Sequence, residues 1–157
     1  MKIQDKHYHT IWIKENNPEI VQVIDQRKLP FQFEIFDIET VEDAFFAIRQ
    51  MVVRGAPLIG VTAAYGMYLA LLEFENGDLS EYIKTKAGYL KSSRPTAVNL
   101  AFAVDEMVEF ILKEKLNSNF IERTLQKAHQ LKQEEINFGD KIGEFGLELI
   151  EKYSGAI

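Results

Sequence analysis

The sequence predicts an α+β chain: a small three-stranded antiparallel sheet within residues 1–38, then a helical bundle over residues 39–157. Three observations carry that prediction. The hydrophobic period changes from near two to near 3.6 residues around Ile38. Before that point, β-branched and aromatic residues are interrupted by turn residues at short intervals. After it, apolar stripes of helical length stop at glycine, asparagine or proline. The 157 residues fit one domain, since domains cluster at roughly 100–150 residues. A chain of this size should bury about 68–70% of its unfolded surface, enough for a core without staples.

Tyr8-His9-Thr10-Ile11-Trp12-Ile13 is rich in strand formers, and Asn16-Asn17-Pro18 reads as a turn. Ile20-Val21-Gln22-Val23-Ile24 alternates in part, and Gln26-Arg27-Lys28-Leu29-Pro30 interrupts it. Phe31-Gln32-Phe33-Glu34-Ile35-Phe36 alternates as a third strand should. Thr40 is the expected cap of the first helix, with Asp43 completing an acidic capping box. That helix carries Val41, Ala44, Phe45, Ile48 and Val52 on one stripe and should end at Gly55. Pro57 opens the second helix, which should run to Asn76-Gly77. A third helix covers Leu79 to Lys91, and a fourth runs from Thr96 to Lys115 after the loop Ser92-Ser93-Arg94-Pro95. Ser118 or Asn119 caps a last helical region that reaches Tyr153 and is expected to break near Asn137-Phe138-Gly139. Gly139, Gly143 and Gly146 recur at helical spacing and suggest close approach of another helix or domain. Trp12, Phe45/Phe46 and Phe31/Phe33/Phe36 are expected in the core.

Composition removes several function classes. The formal net charge is −6, which argues against a nucleic-acid surface and an anionic membrane. It also means that an anionic ligand needs local donors. There is no cysteine, hence no disulfide framework, thiolate metal site or cysteine nucleophile. No apolar targeting segment opens the chain, so a cytoplasmic protein is expected. Gly55 to Leu72 approaches the length of a membrane span, but Pro57, Thr62, Tyr65 and Tyr68 favour a buried central helix. No nucleotide, metal or other cofactor pattern appears, and no cofactor is expected. His7 and His9 would share a strand face without a third ligand. His129 is expected to be exposed. Glu134 and Glu135 are adjacent on a helix and do not face each other.

Two junctions remain as candidate sites. Val53-Arg54-Gly55-Ala56-Pro57-Leu58-Ile59-Gly60 joins two helices. A helix start leaves unpaired N–H donors and the positive end of a dipole. The amides of Gly55 and Ala56 can face an anion there, and Arg54 offers a planar fork. The same residues also read as a tight turn with a solvated arginine. Ser92-Ser93-Arg94-Pro95-Thr96-Ala97-Val98-Asn99-Leu100 has the same form, with Asn99 able to reach backbone or ligand. Its bland reading is Thr96 as a cap and Arg94 on the surface. Two such starts in one small chain favour convergence on one anionic ligand.

These residues also carry a resemblance. Ile24-Asp25-Gln26-Arg27-Lys28-Leu29-Pro30 resembles a D-Q-R-x-L-P segment, and residues 40–60 resemble a T-V-x-D…I-x-x-M-x-V-R-G-A-P-x-I-G block. Ala63-Ala64-Tyr65-Gly66 continues that block. Ser93-Arg94-Pro95-Thr96-Ala97-Val98-Asn99-Leu100 resembles a second signature, and Glu134-Glu135 with Ile142-Gly143-Glu144-Phe145-Gly146 a late helix. The family so resembled is methylthioribose-1-phosphate isomerase, within a superfamily shared with translation-initiation exchange-factor regulatory subunits and ribose-1,5-bisphosphate isomerase.

The resemblance implies an N-terminal domain of sheet and helices followed by a Rossmann-like domain. It implies conversion of 5-methylthioribose 1-phosphate to 5-methylthioribulose 1-phosphate in methionine salvage, at a site between the two domains. Arg54, Gly55, Ala56 and Arg94 fall on its substrate-binding positions. Its catalytic cysteine and aspartate lie in the second domain, and no residue here takes those roles. The chain stops at Ser154-Gly155-Ala156-Ile157, where that domain would follow, so it reads as a domain of a longer chain, a proteolytic product or a truncated gene. Alone it is expected to be inactive, to expose apolar surface, and to form a homo-oligomer such as a homodimer. The other readings are a non-enzymatic regulatory domain and an isomerase of a related pentose 1-phosphate. A pocket for the 5-substituent would discriminate by only about 1–3 kcal/mol per methylene-sized change.

Overall fold

A computed structural model describes residues 2–3 and 6–153, with side chains from Tyr8 onward. The shared face expected for His7 and His9, and the last four residues, lie outside the described residues.

The expected architecture is present: a three-stranded antiparallel sheet at the N-terminus followed by helices. Two short strands, β1 (Lys2–Ile3) and β2 (Lys6–His7), pair with each other first. Then β3 (Ile11–Lys14), β4 (Asn17–Ile24) and β5 (Ile35–Ile38) form a sheet in that order. Alternation sorts its two faces. Val21 and Val23 turn into the core, and Ile38 joins them opposite Val21. Gln22, between the two valines, lies in a polar row across the strands. Trp12 Nε1 donates to Gln22 Oε1 at 2.9 Å, and Gln22 Nε2 donates to Asp37 Oδ1 at 2.7 Å. Lys14 Nζ closes the row on Asp37 Oδ2 at 2.7 Å.

The third strand begins later than expected. Lys28 N donates to Asp25 O, and Phe31 N and Gln32 N donate to Lys28 O, which turns residues 25–32 back on themselves. The alternating run therefore starts in a turn, and Phe31, expected in the core, is 92% exposed. Phe46 is also exposed and stacks on Phe36 at 5.9 Å between ring centres. Trp12, Phe33, Phe36 and Phe45 are only half-buried.

The helices are α1 (Val41–Arg49), α2 (Ala56–Leu72), α3 (Leu79–Ser92), α4 (Val98–Lys113) and α5 (Phe120–Glu151). Thr40 caps α1 as expected: Asp43 N donates to its hydroxyl at 3.1 Å, and Asp43 Oδ2 accepts from Thr40 N at 3.0 Å. The helix stops at Arg49 rather than at Gly55, and Gly55 instead stands at the head of α2. Residues 59–71 of α2 are all buried, as a central helix requires. Two glycines admit its neighbours: a Cβ on Gly60 would sit 2.8 Å from Asn99 O, and one on Gly66 2.9 Å from Ala44 Cβ. The second helix ends at Leu72, short of Asn76-Gly77.

The expected break in the last helix does not occur. α5 runs unbroken through Asn137-Phe138-Gly139. No proline interrupts it, and Gln133 Nε2 bridges to Asn137 Oδ1 at 3.0 Å along its surface. A glycine costs up to ~1 kcal/mol there without removing a backbone hydrogen bond. No atom comes within 4 Å of the Cβ positions of Gly139, Gly143 and Gly146. Among the described residues no helix makes the close approach that their spacing suggests.

Candidate functional site

Both candidate junctions are helix starts without a side-chain cap. Gly55 heads α2 at φ +90°, a conformation that favours glycine. With no side chain to accept, the first-turn amides of Ala56 and Leu58 stay open, and Pro57 has none to give. Ala97 heads α4 and likewise accepts nothing with its side chain, leaving Val98 and Asn99 N–H uncapped. Thr96 is not the cap.

The structure sets the two junctions side by side. Arg49 Nη1, at the end of α1, donates to Ser93 O in the loop before α4 at 3.2 Å. Gly60, one turn into α2, lies against the Asn99 backbone in the first turn of α4. Ser93 is fully buried and donates its hydroxyl to Leu90 O at 2.6 Å, which holds that loop to α3. On the other side, Gln26 N donates to Val52 O at 2.9 Å, tying the segment before Arg54 to the turn after β4.

That turn is held by Asp25, which is only 3% exposed. Its carboxylate accepts from Arg27 N at 3.0 Å, Arg27 Nε at 2.9 Å and Arg27 Nη2 at 2.6 Å. The guanidinium beside it holds the Asp25 carboxyl below the usual carboxylate range, outweighing burial, which pushes the other way. The Asp25–Arg27 pair is thus a frame for the site rather than part of it.

Arg54 is exposed and Arg94 half-buried, and neither guanidinium has a hydrogen-bond or ion-pair partner among the described residues. Arg27 and Arg123, by contrast, are spent on Asp25 and Glu114. Arg94 lines a cleft of 340 Å³ with Lys91, Pro95 and Ala97. Pro57 and Leu58 line a separate cavity of 170 Å³. The junctions are neighbours, yet these two cavities are separate: Arg94 lines the first, and Arg54 lines neither. Asn99, in the first turn of α4, is half-buried, and its Nδ2 donates to Glu135 Oε1 at 3.4 Å.

One residue of this region was not visible in the sequence. Lys132 of α5 lines the cavity beside Pro57 and Leu58, as does Glu135 three residues further along the same helix. Burial lowers the pKa of its ammonium. It sits in a polar stretch of a long helix, and no pattern singles it out. His129 is exposed as expected, but its Nδ1 is 2.7 Å from the hydroxyl of buried Tyr65. Burial and then Lys132 lower the His129 pKa, while burial raises that of Tyr65. Among the described residues no three His, Asp or Glu side chains gather to hold a metal, and no helix is long and apolar enough to cross a membrane.

The comparisons agree with the resemblance. Residues 52–155 match the model of the initiation factor 2 subunit family. The chain is 41% identical over 155 residues to the methylthioribose-1-phosphate isomerase of Desulfatibacillum aliphaticivorans, covering 98% of this chain and 42% of that protein. The enzyme of the same name from Thermotoga neapolitana is 44% identical over 131 residues, covering 83% and 38%. Among solved structures, translation initiation factor eIF-2B subunit delta from A. fulgidus superposes with a TM-score of 0.77 at 36% identity, over 89% of this chain and 41% of that one. The 5-methylthioribose 1-phosphate isomerase of Pyrococcus horikoshii gives 0.72 at 29%, over 82% and 37%. The chain spans about two fifths of the length of the curated relatives it matches.

Proposed function

The chain belongs to the initiation factor 2 subunit family, and from that premise we propose that it is the substrate-binding part of a sugar-phosphate isomerase. Its substrate is 5-methylthioribose 1-phosphate, converted to 5-methylthioribulose 1-phosphate in methionine salvage. Arg54 with Gly55 and Ala56, and Arg94 from the neighbouring junction, bind the phosphorylated sugar. One observation carries this reading. Two uncapped helix starts, each preceded by an arginine whose guanidinium is unpaired among the described residues, lie side by side in a protein of net charge −6. Such starts suit anions through their free N–H groups and dipoles. Arginine adds two directed hydrogen bonds to a phosphate or to vicinal hydroxyls. The curated relatives that carry the isomerase name, at about 40% identity, supply the sugar.

These residues bind and orient. The anomeric phosphate blocks simple ring opening, so ordinary aldose–ketose chemistry does not apply directly, and neither junction carries a carboxylate or thiol that could move a proton. The catalytic groups belong to the remaining length of the relatives, which has no counterpart in these 157 residues. The chain alone binds substrate and turns over none, and it works in the cytoplasm.

Calorimetric titration with 5-methylthioribose 1-phosphate tests this. Saturable binding is expected, weakened about ten- to a hundredfold by Arg54→Ala and by Arg94→Ala. Wild-type affinity in both variants would overturn the assignment of the junctions. A second reading, a regulatory domain without a substrate, has the higher TM-score to the eIF-2B delta structure in its favour. It predicts no binding of the sugar phosphate to the wild-type chain.

A further inference from the structure

Lys132 of α5 differs from the lysines that share its degree of burial. Every other half-buried lysine among the described residues sits on a carboxylate: Lys14 on Asp37, Lys86 on Glu42 and Glu73, Lys91 on Asp105, and Lys127 on Glu106. Lys132 is half-buried too, yet no hydrogen bond or ion pair joins its ammonium to any of the described residues. Removing a charge from water is costly unless a counter-charge replaces the water. Burial lowers the Lys132 pKa, and no neighbouring carboxylate offsets that. The chain is not short of carboxylates, with 24 Asp and Glu against 18 Lys and Arg. One of them, Glu135, lines the same cavity, but its Oε1 accepts from Asn99 Nδ2 at 3.4 Å. Lys132 is the only lysine or arginine lining that cavity of 170 Å³, whose apolar walls are Ile11, Pro57, Leu58, Val61 and Ile136. The space holds several waters, and so a phosphate group. Walls of this kind thin the water around a charge and strengthen what the charge binds.

We propose that Lys132 is a further ligand-binding residue, and that its ammonium seats a phosphate group in the cavity between β3, the first turn of α2 and α5. On the reading above, that group is the phosphate of the sugar phosphate. The inference rests on that reading for the name of its ligand, and on the unpaired lysine for the place. A phosphate brings the counter-charge that Lys132 lacks, whereas a sugar hydroxyl does not. Lysine acts here as a point charge, without the directed fork of an arginine. The division of labour follows: Lys132 neutralises the phosphate from α5, and the arginines of the two junctions orient the sugar.

Binding of 5-methylthioribose 1-phosphate and, separately, of inorganic phosphate to the full chain tests it, read by calorimetry beside urea unfolding without ligand. Lys132→Met keeps the apolar stem and removes the charge, and it should weaken both ligands about tenfold. Its stability should stay equal or rise, because a half-buried charge without a partner is gone. Lys132→Arg should keep most of the affinity. Glu135→Gln retains an acceptor for Asn99 and removes a negative charge from the cavity, so it should tighten phosphate roughly threefold. A Lys132→Met variant that loses stability and keeps wild-type affinity for both ligands overturns the inference. If Arg54→Ala and Arg94→Ala then still weaken the sugar phosphate, the reading of the junctions stands without Lys132. Inorganic phosphate held through Lys132, with no binding of the sugar phosphate, supports the phosphate seat and overturns the sugar reading. A wild-type chain that binds neither ligand overturns both.

Discussion

The helix starts fall into two kinds. α1 and α3 close their own first turns: Thr40 accepts from Asp43 N, and Asp78 accepts from Ser80 N and Glu81 N. α2 and α4 begin at Gly55 and Ala97, which cannot do so. α5 is also uncapped at Asn119, but the arginine near it, Arg123, is spent on Lys115 O, Asn117 and Glu114. Only before α2 and α4 does an open start coincide with an arginine whose guanidinium has no partner among the described residues. A cap stabilises its helix by about 1 kcal/mol. Its absence at two adjacent, otherwise well-packed helices is what a ligand site would leave behind.

The difference can be broken at several points. The largest effect is expected at Asp25, whose carboxylate holds the turn that fixes Val52 through Gln26. Asp25→Ala removes a buried carboxylate that accepts hydrogen bonds from three N–H groups of Arg27 and should cost about 3 kcal/mol of stability in urea unfolding. Because the folded carboxyl is held below its usual value, this contribution is present above the unfolded pKa of about 3.9. It is lost as pH falls through the lower folded value, so wild type and Asp25→Asn should converge in stability well below pH ~4. Next comes Gly60→Ala. Its Cβ would meet Asn99 O at 2.8 Å, which is backbone and cannot swing away. A loss of about 2 kcal/mol is expected, with the two open starts pushed apart and ligand affinity falling too.

Smaller effects sharpen the contrast. Arg54→Lys and Arg94→Lys should leave stability within ~0.5 kcal/mol of wild type, yet recover only part of the affinity lost in the alanine variants. The smallest change is at the closed starts. Thr40→Ala should cost about 1 kcal/mol of stability and nothing in ligand affinity. Equal loss of affinity from Thr40→Ala and Arg54→Ala, by calorimetry, would erase the distinction between the two kinds of start.

Local chemistry made much of this visible in advance. Thr40 with Asp43, the Val21/Val23 alternation and the Arg-Pro pairing at residues 94–95 each act through neighbours in sequence, and each reads directly. The misses have a tertiary cause. Phe31 looked like strand because it alternates, but the hydrogen bonds of Lys28 O turn the chain there. α5 looked broken at Gly139, but nothing competes with its helical backbone at that exposed point. Lys132 joins the site only because α5 crosses the first turn of α2, a contact no local pattern encodes. Adjacency of the two junctions rests on Arg49 reaching Ser93, 44 residues away.

The most direct test follows backbone amides by NMR as 5-methylthioribose 1-phosphate is added to the chain. The largest shifts should fall on Ala56, Leu58, Val98 and Asn99, at the two open starts. Asp43, Ser80 and Glu81, whose amides are already taken by side chains, should stay still. Shifts centred on the capped starts, or none at saturating ligand, would contradict the claim that the open helix starts bind the phosphorylated sugar.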